Sequence, residues 1–243
     1  MGGSYSNHIY AVAAAGKRFN FKTIGIIRGQ KPKQLSPTLS FAHQAGMQLH
    51  FVSRTDYRAL RNDGQQSPIL DEFQPAYFIP EGGSTPLAVD SCAEFISPLS
   101  EPFDIVCCAC GTGGTLAGFI KGLNNQAEAI GFAALKNANF LNQDIRRLLN
   151  DGNPPHRFDR WQVNNDYHFG GYAKSSIELE NFIIHFYQQH KIRLEPVYTG
   201  KMFFGLYDLI KRGYFKEGTR ILAIHTGGLQ GLGGFPALKQ ALE

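Results

Sequence analysis

Short aliphatic and β-branched runs alternate along this chain with longer segments of helical spacing, and this alternation limits the fold more than any other feature. The predicted strands lie in residues 21–30, 48–53, the start of 77–96, the start of 103–123, 128–135 and the start of 220–232. Strands separated by helices pair in parallel, because each helix returns the chain to the same end of the sheet. The pattern predicts an α/β fold with mainly parallel sheets, covered by helices on both faces.

Helix signals fit the same fold. A helix is expected to begin near Ser36, because Pro37 suits a first helical turn. A second helix is expected within residues 176–190. The apolar side chains near one face of that helix are Ile177, Phe182, Ile183 and Phe186.

The length of 243 residues allows one large domain or two small ones. Glycines and prolines near residues 80–86 indicate a crossing between two α/β halves. We therefore expect a smaller α/β domain over residues 1–85 and a larger one over residues 86–243.

The charged residues argue against two classes of partner. The chain has 24 Lys and Arg residues and 20 Asp and Glu residues, a net charge of +4, scattered without runs. Without a basic stripe, nucleic acid is not an expected partner. The apolar stretches are far shorter than a membrane span and no signal-peptide pattern is present, so a membrane is not an expected partner either.

Three of the four cysteines, Cys107, Cys108 and Cys110, crowd into one predicted strand. They do not form a disulfide framework, so a cytoplasmic location is expected. A metal site is the alternative to simple packing, since Cys-x-Cys can chelate. We favour packing, because adjacent strand residues point to opposite faces and no paired Cys or His motif lies elsewhere. No metal is predicted.

Three glycine turns follow predicted strands, at residues 81–84, 111–115 and 226–228. In parallel α/β sheets, ligands bind at the carboxyl ends of strands, where helix N-termini present free amides. The turn of residues 111–115 combines glycines that let the backbone close around an anion with two threonine hydroxyls. It predicts a phosphate cradle, and a tight turn without a ligand is the alternative.

Two common nucleotide loops fit this turn poorly. A nucleoside-triphosphate loop needs a lysine directly after its last glycine, and Lys121 lies too far along the chain. A dinucleotide fingerprint can be forced through Gly111, Gly113 and Gly118. The strand of residues 128–135 then lacks the acidic residue expected at its end. An unrelated nucleotide-binding α/β module stays as an alternative function.

Six segments in fixed order resemble the pyridoxal-phosphate enzymes of the D-cysteine desulfhydrase and 1-aminocyclopropane-1-carboxylate deaminase family. These segments are GGSYSNHIYAVAAAGK, IPEGGSTPL, CGTGGTLAGF, YHFGGYAK, EPVYTGKMFFGL and ILAIHTGGLQGL. The resemblance implies fold type II, the fold of the tryptophan synthase β-subunit, with two open, mostly parallel sheets flanked by helices. It also implies the cofactor pyridoxal 5′-phosphate, a small amino acid as substrate, and a homodimer.

The resemblance also implies which residues bind the cofactor, with the larger domain as the main cofactor-binding domain. The residues that would hold the phosphate are Gly111, Thr112, Gly113, Gly114 and Thr115. Thr226 would meet the pyridine nitrogen, with Thr199 close by. A hydroxyl leaves that nitrogen less protonated than a carboxylate would, so the ring accepts electrons less strongly.

Further residues are implied around the substrate. Asn7 would hydrogen-bond the phenolic oxygen of the pyridoxal ring, and it would contact the substrate together with His8. Ser6 would act near the substrate carboxylate and Tyr198 near the reacting carbon. The alternatives without a ligand are a helix N-cap for Ser6 or Asn7 and a packed ring for Tyr198. His225 is expected to be packed or hydrogen-bonded rather than catalytic.

Two threonines bear on the reaction. Deaminases of this family tend to carry Glu after the tyrosine and Leu where Thr226 stands, whereas the desulfhydrases tend to carry hydroxyl residues at both places. Thr199 and Thr226 therefore favour a D-cysteine desulfhydrase-like β-elimination that yields pyruvate, ammonia and hydrogen sulfide. Deamination of 1-aminocyclopropane-1-carboxylate is the alternative reaction.

The lysine that holds the cofactor covalently in this family lies upstream of the Ser-Asn-His turn. The sequence opens at that turn, so we expect a chain that lacks this lysine and the strand before it. Lys174 is a possible substitute, which we interpret as an ordinary loop lysine. The alternative to an enzyme is a truncated, inactive protein that binds pyridoxal phosphate or phosphate alone.

Overall fold

The computed structural model describes residues 1–150 and 158–243 of the chain. They form two compact units, Met1–Gly83 and Ser84–Glu243, divided two residues before the expected boundary. Each unit has a sheet in which every strand pairing is parallel. The predicted α/β class with parallel sheets is confirmed.

The unit Met1–Gly83 has a two-stranded sheet, β1–β2. Its elements are α1 (Asn7–Phe19), β1 (Ile24–Arg28), α2 (Pro37–Gln44), β2 (Gln48–Val52) and α3 (Arg54–Asp63), followed by 3₁₀ helices at Gly64–Gln66, Pro68–Phe73 and Glu81–Gly83. Gly2 forms a parallel bridge with Ile27, so the backbone before α1 lies beside β1. Ile27 and Ile26 belong to separate apolar clusters, because neighbouring strand residues face opposite sides of the sheet.

Serine side chains start the three α-helices of this unit. Ser6, Ser36 and Ser53 each accept a hydrogen bond from the backbone N–H three residues further along. This contact satisfies one of the amides that a helix start leaves without a partner. The predicted start of α2 near Ser36 is confirmed, with Pro37 as its first residue.

The unit Ser84–Glu243 has a four-stranded sheet in the order β5–β4–β3–β6. Its elements are α4 (Pro86–Ile96), β3 (Ile105–Cys110), α5 (Gly114–Leu123), β4 (Glu128–Ala133), α6 (Phe140–Asn150), β5 (Trp161–Asn164), α7 (Ile177–His190), α8 (Thr199–Lys211), β6 (Ile221–Ala223), a 3₁₀ helix at Leu229–Gly234, and α9 (Pro236–Ala241). Within the described residues, every helix is too short or too polar to cross a membrane.

Helices cover both faces of this sheet. On one face Val106 and Cys108 pack with residues of α4, α5 and α6. On the other face Ile105 and Cys107 pack with residues of α8. The expected opposite orientation of Cys107 and Cys108 is confirmed. Among the described residues, no three His, Cys, Asp or Glu side chains are grouped so that they could hold a metal ion.

Two details differ from the sequence predictions. Residues 77–80 form no strand, and the prediction there was wrong. The segment ends in Pro80, which has no backbone N–H to donate to a ladder. The predicted helix of residues 176–190 is confirmed as α7, but its Ile177 is 80% exposed rather than part of the apolar face.

Candidate functional site

The glycine turn predicted as a phosphate cradle connects β3 to α5. Gly113 has a φ of +85°, and a β-carbon there would lie 2.7 Å from Cγ1 of Ile145, so glycine suits this position on both counts. Directly after it, the first backbone N–H groups of α5 have no acceptor within the helix. They point toward the turn, where the helix dipole adds positive potential. The turn thus offers several donors to an anion.

A stripe of glycines on α5 brings a second helix start to the same place. Gly114, Gly118 and Gly122 are four residues apart and share one helical face. A β-carbon on Gly118 would lie 2.2 Å from the β-carbon of Cys92 in α4, and one on Gly114 would lie 2.7 Å from Oγ of Ser84. This close packing places the beginnings of α4 and α5 side by side.

Two hydroxyls meet at this end of the helices. Oγ of Ser84 lies 2.6 Å from Oγ1 of Thr112, and both side chains are only half-buried. Thr115 adds a third hydroxyl in the first turn of α5. A phosphate dianion needs several N–H and O–H donors around its three oxygens. The amides and hydroxyls of this turn are the donor set that such a group requires, so the residues fit the phosphate of the implied cofactor.

Tyr198 lies against the same glycine turn. A β-carbon on Gly111 would lie 3.2 Å from Cε1 and 3.4 Å from the hydroxyl oxygen of Tyr198. The ring of Tyr172 contacts the Tyr198 ring edge-on, with centroids 5.9 Å apart. The structure therefore brings the predicted catalytic tyrosine to the start of the predicted phosphate turn.

A buried carboxylate holds the segment that carries Tyr198. Glu195 is 1% exposed, and its oxygens accept the backbone N–H groups of Val197 at 2.6 Å, Tyr198 at 2.8 Å and Thr199 at 2.7 Å. Burial raises the pKa of Glu195, and the hydrogen bonds from these amides oppose that rise. The carboxylate thus satisfies the first amides of α8, which begins at Thr199.

A buried lysine lies in the first turn of α8. Lys201 is 1% exposed, and its Nζ donates to the carbonyl oxygens of Gly171 at 2.7 Å and Ala134 at 3.3 Å. Burial lowers the pKa of Lys201 to about 8, against the opposing charge of Glu195. Its ammonium ties α8 to the segment after β4 and to the loop of residues 167–174.

The two threonines assigned to the pyridine nitrogen have different surroundings. Thr199 is fully buried, and its hydroxyl donates to the Glu195 carboxylate at 3.2 Å and accepts from the Glu195 N–H at 3.1 Å. Thr226 is exposed in the turn after β6. His225 is hydrogen-bonded, as expected, with Nε2 2.8 Å from the carbonyl oxygen of Arg193. The cofactor roles of Thr199 and Thr226 stay predictions.

The remaining predicted residues lie at the start of α1. Ser6 is the helix N-cap, with its hydroxyl 3.2 Å from the N–H of Ile9, and Asn7 is the first helical residue. The His8 ring lies against Gly83, where a β-carbon would be 3.0 Å from Nδ1. Burial lowers the pKa of His8 to about 4. The substrate and cofactor roles of these three side chains stay predictions.

Sequence reasoning assigned no role to Ser84, Glu195 or Lys201. Each had a local signal. Ser84 closes a glycine turn, Glu195 lies four residues before the first residue of a helix, and Lys201 interrupts an otherwise apolar stretch. None of these signals shows that the group is buried or where its partners lie. Lys174, the possible substitute lysine, is exposed.

The chain is similar to known proteins over nearly its whole length. Residues 1–227 match the family described as pyridoxal-phosphate dependent enzyme. A Pyrococcus horikoshii protein named as a candidate 1-aminocyclopropane-1-carboxylate deaminase is 28% identical over 249 residues, which are 95% of this chain and 73% of that protein.

Two further similar proteins are named for enzymatic activities. The mitochondrial bifunctional D-cysteine desulfhydrase/1-aminocyclopropane-1-carboxylate deaminase of Arabidopsis thaliana is 29% identical over 255 residues, 96% of this chain and 63% of that protein. A crystal structure described as an ACC deaminase homologue superposes with a TM-score of 0.79 and 26% identity, covering 100% of this chain and 77% of that chain.

Proposed function

Because the chain belongs to the family of pyridoxal-phosphate-dependent enzymes, we propose that it is a lyase that acts on a small β-substituted amino acid, D-cysteine by preference. The fold is that of fold type II and the cofactor of the family is pyridoxal 5′-phosphate. The proposed reaction cleaves the bond between the β-carbon and sulfur. Hydrolysis of the remaining fragment then gives one pyruvate, one ammonia and one hydrogen sulfide for each D-cysteine and water consumed.

The observation that carries this proposal is the contact between Tyr198 and Gly111. The phenol hydroxyl would lie 3.4 Å from a β-carbon on the first glycine of the phosphate turn. A group held by its phosphate at this turn therefore has a proton donor or acceptor directly beside it. Proton transfer by a positioned side chain is the contribution that a protein makes to an elimination of this kind.

The cofactor supplies an electron sink that stabilises negative charge at the α-carbon of a bound amino acid. The protein's own groups bind the cofactor and orient the substrate. We propose that the amides of Gly113, Gly114 and Thr115 and the hydroxyls of Ser84 and Thr112 hold the phosphate. Tyr198 moves a proton at the substrate, and Thr226 donates toward the ring nitrogen. The roles of Ser6, Asn7 and His8 are proposed as the family resemblance implies.

The preference for D-cysteine rests on Thr199 and Thr226. Hydroxyl residues at these two positions are typical of the desulfhydrases that the sequence resembles. Deamination of 1-aminocyclopropane-1-carboxylate is the second candidate, because the Arabidopsis relative is named for both activities and the Pyrococcus relative for that one. We further propose a homodimer, and a cytoplasmic location, since the four cysteines are free.

The two reactions differ in their products, so one assay separates them. The purified protein is incubated with pyridoxal phosphate and either D-cysteine, L-cysteine or 1-aminocyclopropane-1-carboxylate, and sulfide and ammonia are measured together. We expect equal amounts of sulfide and ammonia from D-cysteine and less from L-cysteine. Ammonia from the cyclopropane substrate alone, without sulfide from D-cysteine, would overturn the preference and support the second candidate.

Matched tyrosine variants test the site itself. Tyr198→Phe is expected to lower kcat for D-cysteine at least a hundredfold, within the usual contribution of a proton-transfer group. Tyr77→Phe is the control, because Tyr77 is 76% exposed and lies in the other unit. Borohydride reduction of the coloured protein, followed by peptide mapping, identifies any lysine that holds the cofactor. Reversible binding without turnover would favour an inactive binding protein.

A further inference from the structure

The start of α8 is capped in an unusual way. A helix N-cap residue normally accepts an N–H from the first turn with its own short polar side chain. The N-cap residue of α8 is Tyr198, whose side chain makes no such bond. The amides of Tyr198 and Thr199 are instead bound by Glu195, three and four residues earlier in the chain.

Capping a helix with a buried carboxylate is energetically unfavourable, so its use here calls for a reason. A carboxylate that is 1% exposed has lost nearly all of its contact with water, and this loss of hydration is unfavourable until its hydrogen bonds are formed. Serine, threonine or asparagine at position 198 would cap the helix without a buried charge. Such a residue would remove the tyrosine from its place beside Gly111. Capping from position 195 leaves position 198 available for a phenol.

We propose that Glu195 is the positioning residue for Tyr198, fixing the backbone of the tyrosine so that its phenol stays beside the glycine turn. The inference rests on the proposed function, because it gives Tyr198 a role in proton transfer. The Glu195 carboxylate accepts three backbone N–H groups together. One carboxylate oxygen accepts the amides of Tyr198 and Thr199, and the other accepts that of Val197. Both oxygens are therefore needed to hold the segment.

Glu195→Gln tests this directly. Glutamine keeps the size of the side chain but replaces one accepting oxygen with an NH₂ group that faces an N–H donor. Glu217→Gln is the matched control, since Glu217 is exposed on the surface. Glu195→Asp is the second variant if the glutamine protein does not fold. It keeps the carboxylate on a side chain that is shorter by one methylene group.

The first readout needs neither cofactor nor activity. The protein is labelled with 3-fluorotyrosine, and among its ten tyrosines the ¹⁹F resonance of Tyr198 is the one lost in Tyr198→Phe. In Glu195→Gln we expect this resonance to move toward the solvent-exposed frequency and to broaden. In Glu217→Gln it stays in place. An unchanged Tyr198 resonance in Glu195→Gln would overturn the proposal.

The second readout separates positioning from a general loss of stability. Glu195→Gln is expected to lower kcat for D-cysteine at least tenfold and to leave the Kd for inorganic phosphate within threefold, because the phosphate turn is a different segment. In a Tyr198→Phe background, Glu195→Gln should lower kcat by less than twofold, since the hydroxyl that Glu195 positions is already absent. An equal loss in both backgrounds would overturn the proposal. If the parent protein turns over no amino acid, the proposed function fails, and the ¹⁹F result alone decides the positioning.

Discussion

Gly118 in α5 lies so close to Cys92 in α4 that a β-carbon on the glycine would be only 2.2 Å from the β-carbon of the cysteine. Real β-carbons do not approach so closely, so any other residue at position 118 would push the helices apart. Gly122, one turn later, is under the same constraint. The glycines on α5 therefore control how the two helix starts meet at the phosphate turn.

Gly118→Ala is therefore expected to destabilise the protein even though alanine favours helices. Overpacking of a tight contact costs about 1–3 kcal/mol, and the better helix propensity of alanine returns about 1 kcal/mol. A net loss of up to about 2 kcal/mol in the free energy of unfolding is the expected result, measured by urea denaturation. Glu94→Ala, on the exposed side of α4, is the control and should change stability by less than about 0.5 kcal/mol.

A double variant tests the cause of that loss. Cys92→Gly removes the β-carbon that the new methyl group would strike, so Cys92→Gly with Gly118→Ala should be more stable than the sum of the single effects predicts. Strict additivity would show that the contact between the two β-carbons is not the source of the cost.

Alanine substitutions at two glycines with similar φ angles test whether the turn of residues 111–115, the phosphate turn, binds phosphate. Gly113 has a φ of +85° and Gly218 a φ of +82°, but only Gly113 belongs to the turn, and a β-carbon on Gly218 would have no neighbouring atom within 4 Å. Alanine at either position carries a similar backbone strain of about 1–2 kcal/mol, and at position 113 its β-carbon would in addition lie 2.7 Å from Cγ1 of Ile145. Gly113→Ala alone should raise the Kd for pyridoxal phosphate at least tenfold, measured by fluorescence titration.

Pyridoxal without its phosphate is the ligand control for this experiment. Its affinity should not differ between Gly113→Ala and the parent protein, because the turn is proposed to bind the phosphate. If both ligands weaken equally, the turn does not bind the phosphate group specifically, and the cradle is misassigned.

The fold could be predicted largely because its signals are local. The alternation of strands and helices, the start of α2 at Pro37, and the opposite directions of Cys107 and Cys108 follow from spacing within a few residues. The strand prediction at the start of residues 77–96 was wrong, because the apolar run of residues 77–79 does not show whether a partner strand lies beside it. A strand needs such a partner, and the sequence pattern contains no information about it.

The candidate site likewise contains residues that local sequence signals predict and residues that they do not. The glycine turn was found because its conformation is dictated by residue types that are adjacent in the chain. Ser84 was not assigned, because its contact with Thr112 joins residues 28 positions apart. Lys201 was not assigned either, since its acceptors lie at Gly171 and Ala134 and depend on the packing of α8 against two loops. A buried charge in a sequence looks the same as an exposed one.

Lys201 should make stability depend on pH in the alkaline range. Its pKa is lowered to about 8 in the folded protein from an ordinary value of 10.5, so between these values the unfolded chain binds more protons. Stability therefore rises with pH across this window. Relative to Lys201→Met, the parent protein should gain roughly 2 kcal/mol between pH 7 and pH 9.5. Chemical denaturation at the two pH values measures the difference.

The difference between variants is the quantity to measure, because cysteines and tyrosines also titrate in this range. The pKa of Cys107 is raised to about 12 by burial, which works against stability above its ordinary value. Lys211→Met, at the exposed end of α8, is the control. A parallel pH dependence for Lys201→Met and the parent protein would mean that the ammonium is not the buried group described.

His8 should make the protein sensitive to acid. Burial lowers the pKa of His8 to about 4 from an ordinary value of 6.5, so between these values the unfolded chain takes up a proton that the folded chain does not. Stability therefore falls as the pH drops through this window. Between pH 7 and pH 5 the loss from this group is roughly 2 kcal/mol, and His8→Gln should remove it. His43→Gln, an exposed histidine in α2, should retain the acid sensitivity of the parent protein. Equal acid sensitivity in His8→Gln and the parent protein would show that the ring beside Gly83 is hydrated in solution.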